Sequence, residues 1–499
     1  MEQNHIRSSE TSLYHMIKKF HWLKNEALIV CVLTGLAILM ALEVFQHFAP
    51  GAMSQDSFVI LSHARSGVYS DSHPPLMSLI WSVVDKVIPG PLGILLMNLG
   101  LFYGGLLLIF LRLVQRCGFI AAPLFVIVGL YPPVIALLGV IWIDLTMAAV
   151  FVFAIGLFLS VRLDKDWKRR RNAFSAIFVL ILISVGLSLR HNGPAAALPL
   201  FVFVFYCSTF AQKKTWIRLA SSLMLGILVT ILCFLGSRQI QSSLVAEKTH
   251  LWRVGAVYDI AGTSYYEGKY LFNDSILSGG RVDIETLYSP RSYTPLTLGQ
   301  QIHALPGQPE KFGNKAELNL ADPNLNKLLF DNWVFAIMNY PCSYLKHRYA
   351  VFSSLVTRSP WGFWSAIYDR IPPNNMGIPE MYAKDSTYFS FVRRLIGTFI
   401  FVPVVYLFLS LVMVGPVLYY SIKKNSEPLA LSATLYLSGL LHMVGLFFFA
   451  ASGDTRYSHW MVLATVLATA VLLSELAMRL HMKFQSASDG DRKLPSCHI

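Results

Sequence analysis

Trp142-Ile143-Asp144-Leu145-Thr146-Met147-Ala148-Ala149-Val150-Phe151-Val152-Phe153-Ala154-Ile155-Gly156-Leu157-Phe158-Leu159-Ser160-Val161 carries one charge, near its start, and is followed by the basic residues Arg162, Lys165, Lys168, Arg169, Arg170 and Arg171. An apolar stretch of about 20 residues, rising about 1.5 Å per residue as a helix, matches the roughly 30 Å hydrocarbon core of a bilayer. A Lys/Arg cluster at one end of such a stretch marks the cytoplasmic side. Working outward, similar segments occur near 27–47, 91–111, 119–138, 142–162, 173–190, 194–211, 217–237, 395–420, 428–450 and 457–480, ten in all. The composition agrees, being 55% hydrophobic and only 14% charged over 499 residues, where a soluble domain is about 25% charged. The expected fold class is an all-α polytopic membrane protein with about ten transmembrane helices.

Placing the N-terminus inside puts Arg7, Lys18, Lys19, Lys24, Arg112, Arg116, the 162–171 cluster, Lys213, Lys214, Arg218, Lys423, Lys424, Arg479, Lys483, Arg492 and Lys493 on the cytoplasmic side. The short outer loops then hold only Arg65, Lys86, Arg190 and Arg456. The short segment 74–88, interrupted by Asp85 and Lys86, reads as a helix lying in the outer interface, because counting it as a span would move the basic cluster outside. Three regions follow: an N-terminal transmembrane module over 1–237 that includes the first outer loop (48–90), a large outer loop over 238–394, and C-terminal helices with a cytoplasmic tail over 395–499. The loop contains an amphipathic stretch near 326–356, with Trp333, Phe335, Ile337, Tyr344 and Phe352 among charged residues, which suits an interfacial helix. Six scattered cysteines make neither a disulfide framework nor a thiolate zinc site. The first apolar run is too long for a signal-peptide core and reads as an uncleaved anchor.

Polar residues concentrate at the outer ends of the spans: Glu43, Asp56, His63, Arg65, Asp71 and His73 after the first, Asp144 at the start of the fourth, Arg190, His191 and Asn192 closing the fifth, and Asp454 and Arg456 before the tenth. Ionisable groups at such depth usually face a cavity or a partner. Carboxylates beside guanidinium and imidazole groups suit a reaction that deprotonates an alcohol and stabilises an anionic leaving group. A phosphate leaving group favours Arg, and a hydroxyl acceptor favours an Asp base.

The first outer loop, from Asp56-Ser57-Phe58 to Gly67-Val68-Tyr69-Ser70-Asp71-Ser72-His73-Pro74-Pro75-Leu76, resembles the signature of polyprenyl-phosphate-sugar-dependent glycosyltransferases of the GT-C superfamily, the group of the protein O-mannosyltransferases and lipid A aminoarabinose transferases. Trp142-Ile143-Asp144, Arg190-His191-Asn192-Gly193 and Asp454-Thr455-Arg456-Tyr457 resemble three further places of that group, in the same order and on the same expected side of the membrane. One departure is Ser57, where the mannosyltransferases often carry a second acid. The resemblance implies a GT-C-like fold, a polyprenyl-phosphate sugar donor, and Asp56 as catalytic base. No metal ligand set is assigned, although a divalent metal is compatible with the group.

Each other candidate has two readings. Asp71 and His73 either shape the acceptor site or cap the interfacial helix. Asp144 either serves the reaction or answers a helix macrodipole. Arg190, His191 and Arg456 either bind the donor phosphate or snorkel to the interface, and Arg456 can also pair with Asp454. Lys346, His347 and Arg348 either join the substrate site or meet lipid headgroups, and His442 reads as a packing residue.

The expected function is transfer of a sugar to an envelope glycan or glycolipid, such as lipopolysaccharide or an O-antigen side branch, on the outer face of a cell inner membrane. The rivals are an envelope-polysaccharide ligase or polymerase and a lipid or sugar transporter. Transporters concentrate polar residues at the midplane and often repeat internally. The net charge of +13 falls almost wholly on the cytoplasmic side, so it is an orientation signal and implies no nucleic-acid partner.

Overall fold

Within a bilayer every backbone N–H and C=O must find its partner inside the protein, so long apolar segments fold as helices. The structure, a computed structural model, describes residues 27–161, 169–208, 215–300, 312–357 and 366–491. Among the residues that set the expected orientation, Arg7, Lys18, Lys19, Lys24, Arg162, Lys165, Lys168, Lys213, Lys214, Arg492 and Lys493 lie outside the described residues, as do Cys497 and the side chains of Arg169, Arg170 and Arg171.

The first apolar segment is α1 (Ala27–Phe48). The first loop folds as α2 (Gln55–Ser66), a short strand β1 (Tyr69–Ser70) and α3 (Pro75–Val87). Helix α3 is the helix expected over 74–88: it buries Met77 and Trp81 and exposes Val83 and Val87. Next come α4 (Leu92–Cys117), a 3-10 turn, α5 (Ala121–Gly129), α6 (Pro132–Leu138), α7 (Ile143–Val161), α8 (Arg169–Leu189), α9 (Gly193–Ser208) and α10 (Thr215–Leu244). The chain doubles back at Gly118, whose φ of 72° suits glycine, so that the Tyr103 hydroxyl in α4 donates to the Gly129 carbonyl at 2.9 Å. The single helix expected over 119–138 is therefore two. Pro132 and Pro133 break it, because a residue before proline, here Tyr131, is driven into extended backbone.

The large loop contributes β2 (Val245–Glu247), α11 (Trp252–Glu267), α12 (Ile284–Leu287), α13 (Thr294–Leu298), α14 (Leu325–Asn339), α15 (Pro341–Val356), β3 (Arg370–Ile371), β4 (Met381–Tyr382) and α16 (Thr387–Leu395). Strand β1 pairs in parallel with β2, and β3 pairs antiparallel with β4. The amphipathic stretch near 326–356 is not one interfacial helix but α14 and α15, divided at Pro341. Helix α14 does keep Phe330, Val334 and Met338 exposed, an apolar stripe at helical spacing. The span expected from 395 begins later, as α17 (Pro403–Lys424), with Pro403 in the first turn where its missing N–H breaks no hydrogen bond. Helices α18 (Glu427–Phe449) and α19 (His459–Asp491) complete the chain.

The protein is thus an all-α polytopic membrane protein. Among the described residues seven helices are long and apolar enough to cross a membrane, Leu92–Gly129 counted as one, and Ser175–Leu189 and Gly193–Ser208 are shorter apolar helices. Helix α7 is apolar all round and lies at the centre, with most of its residues buried. It reaches α4 through glycine: a Cβ at Gly105 would sit 2.6 Å from the Phe153 backbone nitrogen, and one at Gly156 would sit 2.4 Å from the Gly105 carbonyl oxygen.

The two ends of the bundle differ chemically. At one end Glu427 receives Arg116 at 3.0 Å and Arg112 at 3.4 Å, and Arg218 donates to the Tyr206 carbonyl and to Asn425. The opposite end carries the loops and the candidate site residues. Gly105→Leu or Gly156→Leu should force α4 from α7 and cost about 1–3 kcal/mol, the usual range for overpacking. Thermal unfolding of the purified protein checks this, with Gly35→Leu, where nothing lies within 4 Å, expected to leave the midpoint unchanged.

Candidate functional site

The site is assembled around the first turn of α2. Ser54 precedes that helix, and its backbone N–H donates to Ser57 Oγ at 3.1 Å. Ser57 Oγ in turn donates to the Ile141 carbonyl at 2.8 Å, and the Trp142 indole donates to Ser54 Oγ at 2.7 Å. Backbone bonds from Ala52 N to the Gly139 carbonyl and from Ile141 N to the Ala52 carbonyl complete the junction. Ser57, noted in the sequence only as a missing acid, is thus a buried clamp that sets Asp56 on α2 in register with Asp144 in the first turn of α7.

Arg456 joins this junction from the far end of the chain. Asp454 caps a 3-10 turn over Thr455–Ser458, accepts the Arg456 backbone N–H at 3.1 Å, and pairs with Arg456 Nε at 2.8 Å. The Arg456 Nη2 atom then reaches Asp56 Oδ2 at 2.6 Å. Its guanidinium lies 4.7 Å from the Trp142 ring centroid and 5.2 Å from that of Tyr457, a cation–π setting that holds a positive charge in an apolar wall. A second pair stands alongside. Arg190 Nη1 meets Asp144 Oδ1 at 2.5 Å, and its guanidinium lies 4.9 Å from the other contact of Arg456, the Tyr457 ring. Arg190 Nε donates to Asn192 Oδ1 at 3.2 Å. Because His442 Nε2 faces the Tyr457 carbonyl at 3.0 Å it must donate there, and His442 is a packing residue, as expected.

Asp56 keeps 37% of its side chain exposed while Arg456 keeps 11%, so the carboxylate is the reachable member. Burial pushes the Asp56 carboxyl up, but Arg456, aided by His73 and Arg190, outweighs it and holds Asp56 below the usual carboxylate range. For Asp454 burial prevails over the pull of Arg456 and raises the carboxyl to about 6. The two carboxylates sharing one guanidinium are thereby shifted in opposite directions, Asp56 downward and Asp454 upward. His73 Nε2 stands 4.0 Å from Asp56 Oδ1, too far for a hydrogen bond, and burial, opposed by Asp56, lowers its pKa. Burial and the adjacent Arg190 lower His191 to about 4. Near pH 7 it is neutral and brings no charge to a phosphate.

Two sequence candidates are not brought to this centre. Asp71 accepts the Thr249 N–H and hydroxyl, each at 2.5 Å, and the His250 N–H at 3.0 Å, tying the first loop to the start of the large one. Arg348 is buried, pairs with Asp259 of α11, and donates to the Ala450 carbonyl at 2.9 Å. Asp259 also faces His347 at 3.1 Å and accepts the Trp333 indole at 2.8 Å. His347 and Arg348 are therefore interior, not turned to lipid headgroups as their basic sequence suggested.

Two tyrosines of the large loop complete the wall and were not singled out from sequence. Tyr293 is half-buried, its backbone N–H donates to the Ala451 carbonyl at 3.1 Å just ahead of Asp454, and burial raises its hydroxyl pKa. Tyr368 packs its ring 5.5 Å from Trp142 and donates to the Met53 carbonyl at 3.0 Å. Nothing in the local sequence pattern of either residue signals the contact.

No protein family matches the chain, and no curated protein does. Among solved structures, the crystal structure of the Archaeoglobus fulgidus oligosaccharyltransferase, tethered with an acceptor peptide containing the NVT sequon via a disulfide bond, matches at a TM-score of 0.38 and 13% identity. The match covers 90% of this chain and 50% of that one, so the chain spans about half the length of that protein. A likeness at this level assigns neither an activity nor a substrate.

The interior pair has a measurable consequence. Arg348→Met should destabilise the protein by about 3–5 kcal/mol, because it leaves Asp259 buried without its cation. The double variant Asp259→Asn/Arg348→Met should lose less than the two single changes summed, as read by thermal unfolding.

Proposed function

We propose that the protein is a glycosyltransferase that moves a sugar from a polyprenyl-phosphate donor to a hydroxyl of an envelope glycan or glycolipid. The observation that carries this reading is the Asp56–Arg456–Asp454 bridge, in which an exposed ionised carboxylate abuts a guanidinium that a second carboxylate holds in place. The donor's lipid tail would lie between helices. Its phosphate would exchange with Asp56 on Arg456 and draw on Arg190. Asp454 retains Arg456 through that exchange.

Arrival of the phosphate also strengthens the base. Asp56 is held low chiefly by Arg456, so sharing that charge with a phosphate raises the basicity of the carboxylate when an acceptor is needed. The acceptor hydroxyl gives its proton to Asp56 as its oxygen attacks the anomeric carbon. The C–O bond to phosphate breaks, its electron pair leaves on the phosphate oxygen, and the arginines stabilise that charge. Attack opposite the leaving group inverts the anomeric centre. Backbone bonds of Arg291 and Tyr293 to residues 451–453 bring the large loop beside the Asp454–Arg456 turn, which suits a role for the loop in acceptor choice. The charge asymmetry of the sequence supports cytoplasmic termini and a site on the periplasmic face of an inner membrane.

Asp56→Asn, incorporated into membranes at normal level, should lower transfer from a polyprenyl-phosphate sugar by about 10²–10⁴-fold, the contribution of a positioned base. Unchanged transfer would exclude Asp56 as the base. Activity only with diphosphate-linked glycans would favour a ligase or polymerase instead.

Donor affinity should also depend on pH in a defined direction. As pH rises through about 6, Asp454 ionises and neutralises more of the Arg456 charge, so donor KM should increase. Asp454→Asn should flatten that profile, since the donor phosphodiester does not itself titrate there.

A further inference from the structure

A second cluster of polar side chains lies apart from the Asp56 centre, where the end of α1 meets the returning part of the large loop. His47 is the last polar residue of α1, and Asp369 and Asp385 flank the β3–β4 hairpin. One ligand atom from each of the three can be chosen so that all lie within 4.8 Å of one another. The His47 ring is held rigidly: it stacks on Phe389 with centroids 3.6 Å apart and 5° between planes, and packs edge-on against Phe48.

The tautomer of that ring is decided by its neighbours. His47 Nδ1 faces the Lys384 carbonyl at 3.1 Å, and a carbonyl can only accept, so Nδ1 carries the proton. In the neutral ring Nε2 is then a lone-pair atom. It is buried and has no hydrogen-bond partner among the described residues. It faces a carboxylate oxygen, Asp369 Oδ2, at 3.8 Å. That oxygen also takes Arg393 Nη2, and its approach to a lone-pair nitrogen across a gap too wide for a hydrogen bond becomes favourable once a proton or a metal ion sits on Nε2. Two ligands bound at about 2.0–2.2 Å to one tetrahedral zinc ion stand roughly 3.4 Å apart, so the gap needs to close by only a few tenths of an ångström. Asp385 Oδ1 stands 3.7 Å from the same ring, on its Nδ1 side.

We infer that His47, Asp369 and Asp385 bind a divalent cation of the class that accepts imidazole nitrogen, with zinc as the reference ion. The Nδ1–H bond to a backbone carbonyl is the arrangement that orients metal-ligating histidines. Arg393 fits the same role. It pairs with both Asp369 and Asp385, and hydrogen bonding of ligating carboxylates by an outer group is usual. The ion would act as a clasp. It would join α1 to the 366–386 segment, whose neighbouring backbone receives the Met53 N–H at the Arg370 carbonyl and whose Tyr368 donates to the Met53 carbonyl. Those bonds hold the stretch that leads into Asp56.

The test uses the full-length protein purified in detergent, stripped with a chelator, dialysed and titrated with zinc, with metal content read by elemental analysis and a parallel Co²⁺ titration read by absorption. The wild type should bind one zinc per chain saturably and show a higher unfolding midpoint when loaded. His47→Gln and Asp385→Asn should each weaken binding by at least about tenfold, since even outer-shell changes cost 10–100-fold. Asp56→Asn should bind as the wild type does, which separates this site from the proposed catalytic one. Should His47→Gln fail to fold, Asp385→Asn, altered at a partly exposed carboxylate, decides the question alone. Absence of saturable binding, equal affinity in Asp385→Asn, or binding of Ca²⁺ in preference to zinc would overturn the inference.

Discussion

Arg456 is the point on which the loop end of the molecule depends. A guanidinium with 11% of its side chain exposed, set in a wall of Trp142 and Tyr457, is stable only if its charge is answered nearby. One answering carboxylate is local, Asp454 two residues before it, and the other, Asp56, comes from the first loop 400 positions away. That requirement draws the start of α19 onto α2. The Ser57 clamp then carries the constraint to the start of α7, where Asp144 and Arg190 form the second pair.

The arginines of this end divide by what surrounds them. Arg348 is enclosed with Asp259, His347 and the Trp333 indole and fastens α15 to α11. Arg456 and Arg190 are bound by carboxylates on one side and border partly exposed polar groups on the other. Arg456 can exchange the partly exposed Asp56 for another anion without leaving a buried charge unpaired, whereas Arg348 cannot release Asp259, and Arg190 would have to keep the buried Asp144 while turning its remaining N–H groups to a second anion. This difference is why the proposed phosphate contacts are placed on Arg456 and Arg190.

The bundle was largely legible in the sequence because lipid imposes a single solution on a long apolar segment. The helix breaks were not read from hydropathy, even where proline made them, at Pro132–Pro133 and at Pro341. Pro132 and Pro133 divided a segment that reads as continuous by hydropathy, and Gly118 allowed a reversal that a window average does not register. Of the site, Asp56, Asp144, Arg190, Asp454 and Arg456 could be singled out because ionisable groups at the ends of apolar helices are conspicuous. Tyr293, Tyr368 and the structural use of Ser57 could not, because their meaning comes from contacts across long sequence separations.

By itself the sequence determined that this is a helical membrane protein and that ionisable residues gather at the ends of its apolar segments. These follow from local hydropathy and charge, and the bilayer reads both one segment at a time. Tertiary structure decided the pairings: Arg456 with Asp56 instead of lipid, Arg348 with Asp259 in the interior, Asp71 with the Thr249 backbone, and His47 with Asp369 and Asp385. Opposite charges choose partners by distance and burial, and those quantities exist only once the chain has folded.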